Sequence, residues 1–110
     1  MAKRFVRARP EQPRLTELRE RLDSGEIEAM EPFGRAMTRA LEKARFDPET
    51  DEAVWIEEDY CSPPLAMERA EVLDDYFEEI TVIEEDVDEA ERLQQIDHQP
   101  GLWEQVLDEA

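Results

Sequence analysis

Arg45-Phe46-Asp47-Pro48-Glu49-Thr50-Asp51-Glu52-Ala53-Val54-Trp55-Ile56 is the stretch on which the fold turns. Asp47-Pro48 starts a turn, Asp51 tolerates a positive φ, and residues of high β propensity follow at once. The stretch reads as a hairpin, with a first strand near Leu41–Asp47 and a second near Glu52–Tyr60. On its N-terminal side, Met30, Phe33, Met37, Ala40, Leu41 and Ala44 keep helical spacing, interrupted by Pro32 and Gly34. Helix and strand therefore compete for residues 36–46. Ending the helix near Arg39 leaves enough chain for the partner that the second strand needs.

Towards the N-terminus, Arg4-Phe5-Val6-Arg7-Ala8 has strand character, closed by Pro10 and Pro13. Pro13 suits a first helical turn, and Leu15, Leu18 and Leu22 follow at i, i+3 and i+7. Glu17 and Arg21 add an i,i+4 pair in the favoured order, and Ser24-Gly25 ends the helix. Towards the C-terminus, Ser62-Pro63-Pro64 opens another helix with Ser62 as its N-cap. Its expected inward stripe is Ala66, Ala70, Leu73 and Phe77, widened by the Arg69 stem, Val72 and Tyr76. Ile80-Thr81-Val82-Ile83 reads as a short buried strand, and Asp86 to Ile96 as a helix turning Val87, Ala90, Leu93 and Ile96 inward. Pro100-Gly101 breaks that helix before an amphipathic tail, Leu102-Trp103-Glu104-Gln105-Val106-Leu107.

This β-α-β-β-α-β order is that of the ferredoxin-like fold, a four-stranded antiparallel sheet with helices on one face. Residues 1–110 read as a single α+β domain, with 97–110 a helical tail able to cover the open face. The alternative is a mostly helical bundle with one β-hairpin. An uncovered sheet face would favour a homodimer.

Charge divides the chain. Residues 1–46 carry 11 Lys+Arg against 8 Asp+Glu, net +3, while residues 47–110 carry 2 against 23, net −21, within a whole-chain charge of −18. Only Lys3 and Lys43 are lysines, and the other basic residues are arginines. Acid-rich, lysine-poor surfaces resemble those of proteins from salt-loving organisms, so the acidity reads either as salt adaptation or as a working surface. The basic strand residues Lys3, Arg4, Arg7 and Arg9, with Arg14 and Arg19, are expected to pair with the acidic half rather than form an anion site.

Hydrophobic residues make up 40% of the chain, which argues against wholesale disorder. No apolar run reaches the roughly 20 residues that span a bilayer, and the charged N-terminus lacks a signal-peptide core. One cysteine, Cys61, excludes an intramolecular disulfide and a Cys-rich zinc module. The expected setting is cytoplasmic, away from membranes, without a cofactor or metal.

Candidate chemistry gathers where the second hairpin strand meets the following helix: Glu57, Asp59, Tyr60, Cys61, Glu68 and Arg69. Strand alternation puts Glu57 and Asp59 on one face at about 6–7 Å, close enough to share a proton or a cation, or simply to solvate a strand end near a sheet edge. Cys61 beside a helix start has a lowered-pKa position, opposed by the carboxylates around it, and His98 is the one histidine that could serve it. Glu84-Glu85-Asp86-Val87-Asp88-Glu89 lacks the glycine and spacing of a calcium loop and fits the first turn of a helix opening near Asp86. In the tail, Leu102, Trp103, Val106 and Leu107 form a stripe that either docks on its own sheet or binds a groove on a protein partner.

The expected function is a non-enzymatic protein–protein interaction or accessory domain. The alternatives are an acidic decoy imitating nucleic acid, and a small-molecule-binding or enzymatic α+β domain with its site near Asp59–Cys61. Direct nucleic-acid binding is not expected. A protein partner or a homo-oligomer is.

Overall fold

The computed structural model describes residues 2–59 and 65–104. Its architecture is α+β: four antiparallel strands, β1 Ala2–Pro10, β2 Arg45–Asp47, β3 Glu52–Asp59 and β4 Phe77–Glu84, in the order β2-β3-β1-β4. β1 and β3 are the two inner strands. β1 pairs with β3 from Ala2↔Asp59 to Ala8↔Ala53, and with β4 from Phe5↔Glu84 to Pro10↔Phe77. Between β1 and β2 run a short 3-10 turn at Gln12–Arg14, helix α1 Leu15–Ser24 and helix α2 Gly34–Glu42. Between β3 and β4 a helical run occupies 66–76, and Glu89–Ile96 forms a last helix after β4.

Strand alternation sorts the core into two layers. Val6 and Ala8 of β1 and Ala53 and Trp55 of β3 face the helices, meeting Leu15, Leu18 and Leu22 of α1, Met37 and Leu41 of α2, and Val72, Leu73 and Tyr76. The Trp55 and Phe77 rings lie 5.1 Å apart, centroid to centroid, a tilted pairing suited to aromatic quadrupoles. Phe5, Val54 and Ile56 point the other way and are covered by Ile96, with Val87 and Leu93 beside it. The sequence reading gave this cover to the tail and tied a homodimer to an open face; here the Glu89–Ile96 helix fills that place.

Hairpin geometry follows its turn residues, with Asp51 at φ 58°. The helix–strand boundary differs from expectation. α2 continues to Glu42 and β2 holds only three residues, not a strand from Leu41. The reason is that β3 takes its long partner from β1, so β2 need not be long. Pro100 and Leu102 complete the outer side: the Phe46 N–H donates to the Pro100 carbonyl at 2.8 Å, and the Leu102 N–H to that of Ala44 at 2.9 Å.

Three further expectations shift. In the 66–76 run, Leu65, Glu68, Val72, Leu73, Tyr76 and Phe77 are buried, while Arg69 and Ala70 are exposed and Ala66 is half-buried. Arg69–Leu73 has π geometry, which inserts an extra residue into the turn and rotates the inward stripe. The strand expected at 80–83 extends over Phe77–Glu84 and is largely exposed, Ile83 at 48%, because β4 is an edge strand. The final helix starts at Glu89 rather than near Asp86, with the Asp88 carboxylate accepting the Glu91 N–H at 3.1 Å as its N-cap.

Basic residues on β1 clamp the acidic half. Lys3 pairs with Glu89, Arg4 with Glu85, and Arg9 with Glu79. Arg7 Nη1 donates to Asp47 Oδ2 at 2.9 Å, Thr50 Oγ1 at 3.1 Å and Glu52 Oε1 at 3.3 Å, tying the hairpin turn to β1. The Arg7 guanidinium holds the Asp47 carboxyl below its ordinary range, against the opposing effect of burial, and the Glu49 N–H adds to the lowering. A depressed carboxylate stabilises the fold fully above its unfolded value of about 4, and that contribution is lost as pH falls through the lower folded value. Asp47→Asn keeps an acceptor for the Glu49 N–H but loses the ion pair. At neutral pH it is expected to cost about 1–2 kcal/mol. In urea titrations the gap to wild type should close as pH falls through the lowered folded value of Asp47. A constant gap at every pH would show that the Arg7 pair contributes nothing.

Candidate functional site

The residues singled out in the sequence separate into three groups. Glu57 and Glu68 are both buried, at 0% and 2% exposure. Glu57 therefore does not solvate a strand end. It faces the helical layer from an inner strand, and its Oε1 accepts the Trp55 indole N–H at 3.0 Å. Arg4, also buried, stands opposite Glu57 in the β1–β3 register. Glu68 sits in the helical run that follows β3 in the chain. Arg69 is exposed and donates to Asp74 at 3.0 Å, away from that cluster. Asp59 pairs with Ala2 at the strand end; Tyr60 and Cys61 lie outside the described residues.

Replacing Glu57 with Leu would strand the buried indole N–H, an expected loss of about 2 kcal/mol. Glu57→Gln retains an acceptor and should cost less. Equal stability of the Leu and Gln variants in denaturant titrations would refute the role given to that bond.

At this end of the sheet the cavity beside Lys3, Ile56, Glu58 and Glu89 measures about 40 Å³, room for water rather than for a metabolite. Among the described residues no group of three or more His, Cys, Asp or Glu side chains is arranged to hold a metal ion, and no helix is long and apolar enough to cross a membrane.

The tail stripe also divides. Leu102 and Trp103 are buried in the main core, while Val106 and Leu107 lie outside the described residues. Trp103 Nε1 donates to the Leu41 carbonyl at 2.7 Å, and the Arg19 guanidinium sits 5.0 Å from the centre of its ring. A partner reading Leu102 and Trp103 would have to pull both out of the core.

A surface the sequence reading did not assign lies where α2 begins and the 66–76 run passes it. Met30, Glu31, Phe33, Met67 and Glu71 line an open groove of about 310 Å³. Next to it, Met30 and Glu31 also border a shallow hollow of about 520 Å³ with Glu28, Ala29, Pro32 and Arg35. Met67 is 40% exposed and, with Ile83, is one of two large apolar side chains exposed among the described residues. The expected stripe of residues 66–77 leaves Met67 and Glu71 off the inward side, as the structure has them, but spacing along the chain does not show that Met30 and Phe33 pack beside them.

No family model, curated protein or solved structure gives a significant match to this chain. The functional reading rests on its own chemistry.

Proposed function

We propose that this protein is a non-enzymatic interaction module that presents a carboxylate-rich surface to a cationic protein partner. One observation carries the reading. Lys3, Arg4, Arg7, Arg9, Arg14, Arg19, Arg21, Arg69 and Arg92 each engage a carboxylate of the chain itself, so most of its positive charge is spent internally. With 31 Asp+Glu against 13 Lys+Arg, the remaining surface is dominated by acids. Such a field steers cationic partners and repels anionic ones, nucleic acid included.

The scaffold belongs, in this reading, to the ferredoxin-like arrangement. The order β2-β3-β1-β4, the three antiparallel pairings and the helical connections packed on one face support it. The cytoplasm is the proposed location, supported by the single cysteine in a chain of this charge. Fold of this kind does not select among functions, so the surface has to.

Calorimetry with an arginine-rich and a glutamate-rich peptide tests the proposal. The arginine-rich peptide should bind, with affinity falling steeply as salt rises, and the glutamate-rich peptide should not. No binding of the cationic peptide at low salt would end it. Competition by duplex DNA for a captured cationic partner would narrow the role to imitation of nucleic acid.

A second reading takes the buried Arg4, Glu57 and Glu68 as part of a ligand site near Asp59–Cys61. Alkylating Cys61 and substituting Asp59→Asn should then abolish ligand binding. Unchanged binding in both would dispose of it.

A further inference from the structure

We propose that the groove between the start of α2 and the 66–76 run takes a short cationic segment of another protein, with one apolar anchor against Met30, Phe33 and Met67 and flanking Arg or Lys side chains on Glu31 and Glu71. The inference deepens the cationic-partner reading and rests on it. The groove's volume of about 310 Å³ suits one or two side chains, not a whole domain face. Its floor is firm, since Phe33 belongs to the buried core and Met30 packs against it. Its outer wall is Met67, a flexible and polarizable side chain that can re-pack around different apolar partners.

Charge decides the occupant. Glu31 and Glu71 are exposed at the rim, Glu28 is exposed in the adjoining hollow, whose lining holds a single cation, Arg35, and among the described residues none of the three carboxylates makes an ion pair. This contrasts with the carboxylates opposite β1, which already hold Lys3, Arg4, Arg7 and Arg9. A second copy of a −18 chain would bring carboxylates to carboxylates, and the chain's own end, Gln105-Val106-Leu107-Asp108-Glu109-Ala110, carries the same sign. An apolar anchor flanked by cations satisfies both the floor and the rim. Met67 and Glu71, four residues apart on the helical run, stand side by side along this wall.

Fluorescence anisotropy on the full chain provides the test, with three labelled peptides: Leu and Trp flanked by Arg, the same Arg residues flanking Ser, and Leu and Trp flanked by Glu. The first should bind best. Met67→Gln and Glu71→Lys should each weaken it about tenfold, while Glu78→Lys, exposed on β4 outside the groove, should weaken it about twofold or less. Both groove positions are exposed, and an amide NMR spectrum of each variant checks that the fold is kept. Equal losses at Glu71→Lys and Glu78→Lys, or indifference to the apolar anchor, would overturn the groove while leaving the broader cationic-partner reading intact. No binding of any cationic peptide would overturn both. Self-association abolished by Met67→Gln, or peptide binding seen only after removal of residues 105–110, would give the groove to a second copy or to the chain's own end and overturn the proposal.

Discussion

Trp103→Ala is expected to lower the unfolding free energy by about 3–5 kcal/mol, a large share of what a domain of this size holds. The side chain is 8% exposed in the main core, next to Leu102 at 0%. Three terms are lost together: the packed ring, the N–H donated to the Leu41 carbonyl, and the Arg19 guanidinium over the ring. The carbonyl lies near the end of α2 and also accepts the Ala44 N–H at 3.2 Å, so Trp103 adds a side-chain cap from far along the chain to a backbone one. Trp103→Phe separates the terms. It keeps most of the packing and forfeits the hydrogen bond, and should cost about 1–2 kcal/mol. Urea unfolding followed by circular dichroism reads both variants. A Trp103→Ala protein as stable as wild type would mean that this segment is not part of the core, and would return Leu102 and Trp103 to partner binding.

Gly34→Ala is expected to cost about 3 kcal/mol, although alanine is the better helix former and Gly34 opens a helix. A Cβ at this position would overlap the backbone carbonyl oxygens of Ile27 and Glu28. Those carbonyls cannot easily retreat, because Ile27 is fully buried and the Gly34 N–H is bonded to the Met30 carbonyl at 2.7 Å. The same contact sets Met30 and Phe33 in the groove, so peptide binding there should weaken with stability. Gly25 provides the comparison. It ends α1 at φ 82° with open space around its Cα, so Gly25→Ala meets only the left-handed backbone cost of about 1 kcal/mol. Thermal melts should therefore rank Gly34→Ala as the less stable of the two. The opposite order would show that the 25–33 loop yields to the extra methyl.

Local chemistry made some of this legible in the sequence. The turn at Asp47–Asp51, the leucine stripe of α1 and its stop at Gly25 depend on neighbours within a few residues, and the structure has them at those positions. What failed to show depends on distant residues. The length of α2 was misjudged because β3 was assumed to need β2, when its long partner is β1 at the other end of the sequence. Glu57 looked like a solvated strand end because strand alternation reveals which face a residue takes but not whether that face is covered. The inward stripe of residues 66–77 assumed a constant helical period, and the π turn at Arg69–Leu73 breaks it. The groove depends on distant residues too: it joins Met30 and Phe33 to Met67 and Glu71, segments that no local pattern brings together.

Amide NMR and sedimentation while stepping salt from near zero to molar test the central claim, that an acid-dominated surface is held in shape by internal ion pairs and left free for cationic partners. Salt screens the repulsion among exposed carboxylates, so a chain relying on salt to fold would disperse its amide signals only at high concentration. The internal pairing of the β1 basic residues predicts a dispersed spectrum and a constant sedimentation coefficient already at the lowest salt. A chain that is unfolded near zero salt and folds only towards molar salt would contradict the account, making the acidity an adaptation to a salty solvent rather than a surface for a partner.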